Sequence, residues 1–449
     1  MSLFLREEHE MSVEEITADE LASHVGKRAR LKGHIQALRD LGNLVFLVLR
    51  DSHSTVQMVA EHPQIVAIAR QAEPESAVIA EGTIEEKPNK KGEQEVRLTS
   101  LTVLSSPQEP MPIEIGKQNK IDNLSLSTTL DYRPLTLRNP KIRAIFKIEA
   151  EMAAAFREHL SARGFTEIHS PKVVSTGTEG GAQLFRLDYF GKPAFLAQSP
   201  QFYKQIMVGA FERVFEVGPV YRAEEHDTTR HLNEYVSMDV EMGFIANERE
   251  LMHLLTDLIK HIFERVKERC QKELSMHGAV VPEINKIPAI TLADAVDLIN
   301  EQSRKGRKGA EKTDLDPEGE RVLCEYFYEK EGSDLVFVTG YPRSARPFYA
   351  MPLETQSEQS TRSFDLLFRG LEITTGGQRI HEYQMLVQSI RSRGLDPDSF
   401  ADYLQCFKYG MPPHGGFAIG LERLAKQLLG LKTVKLAALF PRDINRLTP

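Results

Sequence analysis

Residues 215–243 carry the side chains whose types and spacing are best suited to chemistry. Two β-prone runs, 215–221 and 235–244, flank a polar segment of mixed charge. This pattern predicts an antiparallel hairpin with a long loop. The basic pair Arg230-His231 lies near the far end of that loop.

Side chains alternate between the two faces of a strand, so residues two or four positions apart share a face. By this rule we expect Arg222 beside Glu224, and Tyr235 on the same face of the return strand as Asp239. An arginine can hold phosphate through its planar fork of donors, and an aromatic ring can stack on a base. The hairpin therefore predicts a site for a nucleotide polyphosphate, although the same residues alone are equally typical of a solvated hairpin with surface ion pairs.

Two shorter stretches precede this hairpin. Residues 175–185 contain three glycines close to Glu179, which predicts a mobile loop, although most glycine-rich loops are simple turns. Pro200 can occupy the first turn of a helix, and that helix would place Gln201 and Lys204 on one face.

Two later stretches carry further polar side chains. Residues 362–381 predict a strand hairpin, and residues 414–429 predict a glycine-rich strand that runs into a helix with Arg423 near its start. The polar residues of the hairpin are Asp365, Glu372, Thr375 and Arg379.

The N-terminal part of the chain has a different pattern. Residues 28–104 contain five alternating, strand-like runs with a helical stretch, 63–72, between the third and the fourth, which is typical of an OB-type barrel. Such barrels bind single-stranded nucleic acid by stacking bases on aromatic side chains in a positive groove. Phe46 is the stacking candidate, and Gln57 and Glu81 could read base edges, although a single Phe in a strand more often belongs to the core.

These patterns predict an α+β protein with an OB-fold domain over 13–108, a hinge over 109–140 and a larger domain over 141–449. The larger domain begins with an amphipathic helix, 141–163, which could serve internal packing or a dimer interface. Residues 283–345 have the character of an insertion, whose charged runs we expect to form a solvated surface.

Composition restricts the class of protein. Of the 449 residues, 27% are charged and 41% are hydrophobic, and no apolar run is long enough to cross a membrane, so we expect a soluble globular protein. The start of the chain lacks a basic and apolar signal sequence, and the three scattered cysteines favour reduced thiols in the cytoplasm over disulfides or zinc. The formal net charge of −8 argues against non-specific binding of nucleic acid over the whole surface.

Three separated stretches resemble the three motifs of class II aminoacyl-tRNA synthetases. The helix and strand that end at Pro171 resemble motif 1, the hairpin that follows Phe215 resembles motif 2, and the run G-L-E-R that ends at Arg423 resembles motif 3. All three in order, after an OB-type domain, form a specific signal. The chain is most similar to archaeal-type aspartyl-tRNA synthetases, and the segments T-E-G-G, Q-S-P-Q-F-Y-K-Q and L-F-P-R-D-I-N-R-L-T-P share that resemblance. Ala418 stands where motif 3 often has glycine.

The resemblance implies a catalytic domain with an antiparallel sheet flanked by helices, and a homodimer formed through motif 1. It implies ATP and Mg²⁺ as cofactors, and a reaction that joins L-aspartate to tRNA(Asp), or also to tRNA(Asn), through an aspartyl-adenylate. The α-carboxylate of the substrate has a pKa near ~3.5 and is already ionised at neutral pH. The step therefore needs no general base, only alignment and charge stabilisation.

The resemblance also implies a role for individual residues. Catalytic roles fall to Arg222, Glu372 and Arg423. The implied ATP-binding residues are Arg222, Ala223, Glu224, Arg230, His231, Leu232, Tyr235, Glu372, Gly420, Leu421, Glu422 and Arg423. The implied aspartate-binding residues are Glu179, Gln201, Lys204, Arg222, Asp239, Thr375 and Arg379. Glu372 and Thr375 would bind Mg²⁺, and the anticodon would contact Phe46, Gln57, Glu81 and Lys91.

Charge would distinguish aspartate from the nearly isosteric asparagine. Lys204 and Arg379 would pair with the β-carboxylate, and a bound amide would leave both cations unpaired at a cost of about 3–5 kcal/mol. The asparaginyl relatives lack the lysine of Q-S-P-Q-x-x-K and the acid that matches Asp239, and this chain has both.

Several alternatives remain at this stage. They are an asparaginyl-tRNA synthetase, an enzyme that makes asparagine from aspartyl-adenylate, and a non-catalytic paralogue. Enzymes of the second kind lack the anticodon domain that residues 28–104 predict here, and the third would have lost some of the catalytic residues. His34, Gln36 and the segment 87–91 are candidates for the choice between tRNA(Asp) and tRNA(Asn), but the residues do not decide that choice.

Overall fold

The computed structural model describes residues 13–86, 88, 92–177, 183–303, 314–353 and 360–449. The chain divides into two compact units, Met1–Pro140 and Lys141–Pro449.

The first unit is built around a small β-barrel. Its elements are β1 (Glu14–Glu15), a 3₁₀ helix (Leu21–Ser23), β2 (Arg28–Asp40), β3 (Val45–Arg50), β4 (Thr55–Ala60), α1 (Pro63–Gln71), β5 (Ala77–Ile84) and β6 (Glu95–Ser105). The long strand β2 pairs with β5 through its first half and with β3 through its second half, so β2–β6 close on themselves. The predicted OB-fold order, with one helix between the third and fourth barrel strands, is confirmed.

Alternation along the strands explains this barrel. In β3 and β4 every second side chain is buried, including Leu47, Leu49, Val56 and Met58, while the residues between them face outward. Each such side chain contributes roughly 1.5–3 kcal/mol through burial, which favours the closed form of the sheet.

The segment after the barrel is helical, although its sequence shows no clear periodicity. It contains α2 (Gln118–Asp122), α3 (Leu126–Asp131) and α4 (Arg133–Thr136). The Nε2 group of Gln36 donates to the carbonyl of Gly116 at 3.1 Å, and Arg138 pairs with the buried Glu75 at 3.2 Å. These contacts attach the segment to the barrel, and its role as a hinge over 109–140 stays a prediction.

The second unit contains the remaining elements. Its strands are β7 (Thr166–Glu167), β8 (Val173–Val174), β9 (Arg186–Tyr189), β10 (Lys192–Leu196), β11 (Arg213–Tyr221), β12 (Glu234–Gly243), β13 (Ala289–Thr291), β14 (Leu335–Thr339), β15 (Ser363–Phe368), β16 (Leu371–Arg379) and β17 (His414–Gly420). Its α-helices are α5 (Pro140–Ser161), α6 (Gln201–Phe211), α7 (Glu248–Arg269), α8 (Gln271–His277), α9 (Leu292–Ser303), α10 (Pro317–Glu331), α11 (Tyr383–Ser392), α12 (Ala401–Lys408) and α13 (Leu421–Leu429).

An eight-stranded sheet in the order β13-β14-β15-β16-β17-β12-β11-β7 organises this unit. The pairs from β14 to β11 are antiparallel, and only the two edge strands pair in parallel. Helices α5, α7 and α13 cover one face with a continuous apolar core. This arrangement confirms the predicted antiparallel sheet flanked by helices, and it leaves the other face of the central strands for polar side chains.

The region predicted as an insertion, 283–345, contributes β13 and β14 to one edge of the sheet, with α9 and α10 packed on them. The expectation of a solvated charged surface is wrong at Glu320 in α10, which is only 4% exposed. The basic run 304–308 lies outside the described residues. No described helix combines the length and the apolar character needed to span a bilayer.

Candidate active site

A row of side chains crosses four neighbouring strands on the polar face of the sheet. Asp365 lies opposite Thr375, Thr375 opposite Ala418, and Ala418 opposite Asp239. Adjacent strands are ~4.8 Å apart, so this row spans roughly 14 Å. Thr375, Ala418 and Asp239 line a cavity of about 740 Å³ above the sheet.

The cavity gathers most of the residues that the sequence singled out. Those that line it are Gln201, Lys204, Arg222, Glu224, Arg230, His231, Leu232, Tyr235, Asp239, Glu372, Thr375, Arg379, Gly420, Glu422 and Arg423. Ala223 and Leu421 are not among the lining residues, and Glu179 lies outside the described residues. Strand β12 places Tyr235 and Asp239 on one face, as predicted, and α6 begins directly after Pro200 with Gln201 and Lys204 facing the cavity.

The positions of Arg222 and Glu224 differ from the prediction. Strand β11 ends at Tyr221, so both residues lie in the connection and not in the strand. Asn233 holds this connection in place, because its side-chain amide donates to the carbonyls of Arg222 (2.6 Å) and Glu224 (3.0 Å). The two side chains still approach each other, with the Arg222 Nη1 to Glu224 Oε1 distance at 3.7 Å.

At one end of the cavity, Lys204 is deeply buried and fully surrounded by acceptors. Its Nζ lies 3.0 Å from Asp239 Oδ1 and 3.3 Å from Glu241 Oε2. It also donates to the carbonyls of Val240 and Phe417, each at 3.3 Å. Helix α6 therefore presents one cation to two carboxylates of β12.

Arg379 is the second cation at this end, and it shares Glu241 with Lys204. Its Nε lies 3.1 Å from Glu241 Oε1, and its Nη2 donates to the carbonyl of Gly416 at 3.0 Å. Burial opposes ionisation of Glu241, but Arg379 and Lys204 outweigh it, so the pKa of this carboxyl lies below its usual value. A Cβ on Gly416 would lie 2.2 Å from Glu241 Oε2, so only glycine leaves room for this carboxylate.

Among the described residues, the charges of Lys204, Arg379, Asp239 and Glu241 sum to zero. The sequence argument considered Lys204 and Arg379 as cations without counter-charges, but Asp239 and Glu241 already pair with them. The penalty for a bound amide therefore does not come from unpaired cations. Sequence reasoning missed Glu241, although its position two residues after Asp239 in β12 puts both side chains on one face.

A hydrogen-bonded chain of side chains supports this end from behind. His414 Nδ1 donates to the carbonyl of Pro412 (2.8 Å), so its Nε2 accepts from Gln205 Nε2 (2.9 Å). Burial lowers the pKa of His414 to about 4, which keeps this ring neutral. Gln205 Oε1 in turn accepts from Gln201 Nε2 (2.9 Å) and from the Tyr403 hydroxyl (3.1 Å).

At the other end of the cavity, the ion pairs of Arg423 and Arg222 are longer and partly exposed. Arg423 Nη1 donates to the carbonyl of Glu372 at 3.1 Å and lies 3.6 Å from its carboxylate, while Arg423 Nε donates to the carbonyl of Arg230 at 3.4 Å. Thr375 Oγ1 donates to Glu372 Oε1 at 3.0 Å. The side chains of Arg222 and Arg423 are partly exposed here, so their guanidinium groups can be reached from the cavity.

Asp365 is a further carboxylate that the sequence placed on this hairpin but not in a metal site. Its Oδ2 accepts from Arg346 Nη2 at 2.6 Å, while its buried Oδ1 has no hydrogen-bond donor among the described residues. Burial raises the pKa of Asp365 to about 6. Partial burial opposes ionisation of the neighbouring Glu372, but Arg423 and Arg346 outweigh it and lower its pKa.

Two residues next to the cavity make mainly structural contacts. Glu422 accepts from the backbone N–H of Val236 with both oxygens, at 2.9 and 3.1 Å, and burial raises its pKa to about 7. Tyr235 packs against a small apolar cluster that includes Leu232. Glu422 thus joins motif 3 to β12, and the Tyr235 ring forms part of the cavity wall.

The barrel carries the second set of predicted residues. Phe46 and Gln57 lie on the outward face of the paired strands β3 and β4, where Phe46 is half-buried and Gln57 donates to Glu95. Glu81 lies on β5, which pairs with β2 and β6 but not with β3 or β4. Its Oε2 accepts from Arg28 and its Oε1 accepts from Arg30. The fourth residue, Lys91, lies outside the described residues.

Comparison with known proteins defines the family. Residues 125–444 match the family model described as tRNA synthetases class II (D, K and N), and residues 29–104 match the model of the OB-fold nucleic acid binding domain. The chain belongs to the class II tRNA synthetase family.

Individual relatives narrow the comparison. The chain is 52% identical to the aspartate–tRNA(Asp/Asn) ligase of Deinococcus radiodurans, over 96% of this chain and 98% of the relative. It is 42% identical to the aspartate–tRNA(Asp) ligase of Pyrococcus abyssi, over 94% and 97% of the two chains. Its structure is similar to that of the asparaginyl-tRNA synthetase of Pyrococcus horikoshii, with a TM-score of 0.89 and 32% identity over 97% of this chain and 100% of the other.

Proposed function

We propose that this chain is an aspartate–tRNA ligase, which activates L-aspartate with ATP and transfers it to tRNA. The observation that carries the proposal is the cavity with two ends: two buried cations, Lys204 and Arg379, at one, and the partly exposed guanidinium groups of Arg222 and Arg423 at the other. The aspartate-specific names of relatives that are 42–52% identical over nearly the whole chain support the same activity.

The donors at the buried end favour aspartate over asparagine. Lys204 and Arg379 have only donor groups, and a carboxylate offers them two acceptor oxygens where an amide offers one. The amide nitrogen of asparagine carries N–H donors, which would face the N–H donors of Lys204 and Arg379 with no acceptor between them. Asp239 and Glu179 would hold the substrate ammonium, so that each charged group of the bound aspartate has an opposite charge beside it. The similarity to an asparaginyl enzyme reflects the shared fold and does not weigh against this choice.

The open end suits ATP. Arg222 would contact the α-phosphate and the α-carboxylate of aspartate, and His231 and Arg423 would hold the outer phosphates. Glu224 would accept from the adenine amine, and Tyr235 would stack on the ring. Arg423 supports this proposal, because its side chain and that of its ion-pair partner Glu372 are both partly exposed, so the guanidinium can turn to a phosphate at little free-energy cost.

The residues at the open end also fit Mg²⁺. Mg²⁺ usually takes one or two protein carboxylates and completes its shell with substrate phosphates and water. Among the described residues there is no group of three metal-ligating side chains, but Glu372, with Thr375 beside it, and the undonated Oδ1 of Asp365 supply carboxylate oxygens. A bound Mg²⁺ would neutralise charge on the phosphates.

Two transfers complete the reaction. The α-carboxylate of aspartate attacks the α-phosphorus of ATP and pyrophosphate leaves, which gives aspartyl-adenylate. The terminal 3′-hydroxyl of tRNA then attacks the carbonyl carbon and AMP leaves. Both steps depend on alignment and electrostatic stabilisation, which a preorganised cavity supplies.

The barrel would bind the anticodon through Phe46, Gln57, Glu81 and Lys91. The outward position of Phe46 and Gln57 on paired strands supports stacking and base reading there. We propose that both tRNA(Asp) and tRNA(Asn) are charged, since the name of the 52% identical relative includes both and that of the 42% identical relative includes one.

We also propose a homodimer formed through α5 and the adjoining strands. The exposed apolar side chains of Val173, in β8, and of Tyr189 and Phe190, at the β9–β10 hairpin, support burial against a second copy, and light scattering would measure the mass. The three free cysteines are consistent with an enzyme of the cytoplasm.

Charging of purified tRNA(Asp) and tRNA(Asn) transcripts with labelled aspartate, side by side, tests the proposal. We expect charging of both, and no charging with labelled asparagine. Charging of tRNA(Asp) alone would contradict only the proposal that tRNA(Asn) is also charged. Charging with asparagine would contradict the proposal that aspartate is the amino-acid substrate.

The Phe46→Ala variant tests the barrel separately. It should raise the KM for tRNA and leave aspartate-dependent ATP–pyrophosphate exchange unchanged. If Phe46→Ala instead unfolds the first unit, Phe46 belongs to the core of the barrel. A folded variant with an unchanged KM for tRNA would also contradict the stacking role.

A further inference from the structure

Glu320 contacts two residues of the open end from a helix that the sequence gives no reason to associate with the cavity. It lies in the first turns of α10, and both its oxygens pair with Arg230 Nη2, at 2.7 and 2.8 Å. Its Oε2 also accepts from the backbone N–H of Glu372 at 3.0 Å. Arg230 and Glu320 lie 90 residues apart in the chain, and no periodicity or motif links them.

Both residues that Glu320 holds also orient Arg423. The Arg423 guanidinium donates to the carbonyl of Arg230 at 3.4 Å and to the carbonyl of Glu372 at 3.1 Å. One carboxylate therefore contacts the Arg230 side chain and the Glu372 backbone N–H, and the carbonyls of the same two residues accept from Arg423. Loss of Glu320 would remove a contact from each of the two residues that orient Arg423.

The same contacts change the role of Arg230. Its side chain is 15% exposed, and its charge is matched by the almost fully buried Glu320. A guanidinium engaged in this way is a poor partner for phosphate, since the buried carboxylate would then lose its counter-ion. Arg230 is better suited to hold the loop than to bind ATP directly.

We propose that Glu320 is a positioning residue for ATP, which acts through Arg230 and Glu372 to aim Arg423 at the outer phosphates. This inference rests on the proposed use of ATP at the open end. It assigns a specific task to α10: this helix sets the geometry of the phosphate site without contacting the substrate.

Kinetics of the Glu320→Ala and Glu320→Gln variants test the inference through aspartate-dependent ATP–pyrophosphate exchange. Because a misplacement of about 1 Å can cost ~100-fold, we expect kcat/KM for ATP to fall by about 10- to 100-fold in Glu320→Ala. The KM for aspartate should change less than about twofold, since the contacts of Lys204 and Arg379 are separate. Glu320→Gln keeps an acceptor for the Glu372 N–H and should lose less.

Glu318→Gln is the matched control. Glu318 lies one half-turn away on α10, is partly exposed and pairs with Arg321, so its loss should leave both kinetic constants unchanged. Urea unfolding of each variant identifies any change in global stability. An equal rise in the KM for both substrates, or a fall in activity that follows stability alone, would overturn the positioning role.

A double-mutant cycle with Arg423→Ala identifies the route of the effect. If Glu320 acts through Arg423, Glu320→Ala should add little to the loss already present in Arg423→Ala. Additive losses would contradict the proposed route. Absence of any aspartate-dependent exchange in the wild-type protein would instead contradict the proposed function, so the two failures are distinguishable.

Discussion

The two ends of the cavity are built from the same sheet but differ in how far solvent reaches their charges. At the buried end, the side chains of Lys204 and Asp239 are each 2% exposed and their charged atoms are 3.0 Å apart. At the open end, the Arg230–Glu320 pair is also buried, but Arg222 is 39% exposed and its Nη1 lies 3.7 Å from Glu224 Oε1. Among the described residues, only the open end therefore has charged side chains that an incoming anion can reach without displacing a buried pair.

This difference fits the two tasks proposed for the site, binding of an amino acid and binding of a polyphosphate. Rearrangement of a buried, paired cluster costs much free energy, because each charge depends on its partner in a low-dielectric environment. It is therefore suited to discriminate a small, fixed ligand. Exposed cations are worth little to stability on their own, so they can exchange a protein partner for a phosphate at low cost.

The largest expected effect is that of Lys204→Met at the buried end. The substitution leaves Asp239 and Glu241 without their shared cation, which should lower the free energy of unfolding by about 3–5 kcal/mol and abolish aspartate-dependent pyrophosphate exchange. Urea denaturation and exchange assays measure the two quantities. A fully stable variant that lacks only activity would show that the cluster is not a unit of stability.

Arg423→Ala is the counterpart at the open end. Because its ion pair with Glu372 is partly exposed, its removal should change the free energy of unfolding by less than about 1 kcal/mol. The kcat/KM for ATP should nevertheless fall by ~100-fold or more, since the lost cation faces developing charge. Large destabilisation by this variant would remove the contrast between the two ends.

Acid should weaken the buried end through His414. Its pKa falls from the ordinary 6.5 to about 4 in the folded protein, so between these pH values the unfolded chain binds the proton more readily, and stability is lost as pH falls. Glu320 and Glu422, with pKa values raised to about 7, shift stability the opposite way over part of this range. Only the difference in stability between the wild type and His414→Gln, measured as a function of pH, therefore isolates the contribution of His414.

The stability of the wild-type protein relative to His414→Gln should fall by up to about 3 kcal/mol between pH 7 and pH 4.5. The exposed His169 provides the control, because His169→Gln should keep the pH dependence of the wild type. Parallel stability curves for the wild type and His414→Gln would show that the ring is not held neutral by folding.

The smallest expected effect is that of Ser237→Ala. The Ser237 hydroxyl donates to Asp239 Oδ2 at 2.5 Å, inside the buried end. Loss of one hydrogen bond to a charged group lowers the free energy of unfolding by about 1.5–3 kcal/mol, and the less firmly held Asp239 should raise the KM for aspartate by roughly two- to tenfold while the KM for ATP stays constant. A rise in both constants would mean that the two ends are coupled more tightly than their separate contacts indicate.

Local patterns accounted for the elements of the site. Alternation and turn signals predicted the hairpin of β11 and β12, the glycine-rich β17 that runs into α13, and the barrel order. They also placed Gln201 and Lys204 on one face of α6, since a helix begins readily after Pro200. The antiparallel sheet flanked by helices was predicted from the resemblance to class II synthetases and not from these local patterns.

The sequence by itself determined which residues line one face of each strand or helix, because side-chain direction follows a local period of two or 3.6 residues. Only the tertiary structure decided which of these faces meet. It placed Glu241 between Lys204 and Arg379, and it brought Glu320 to Arg230 across 90 residues. Whether a cation is free or already paired depends on such distant contacts, and no local pattern in the chain encodes them.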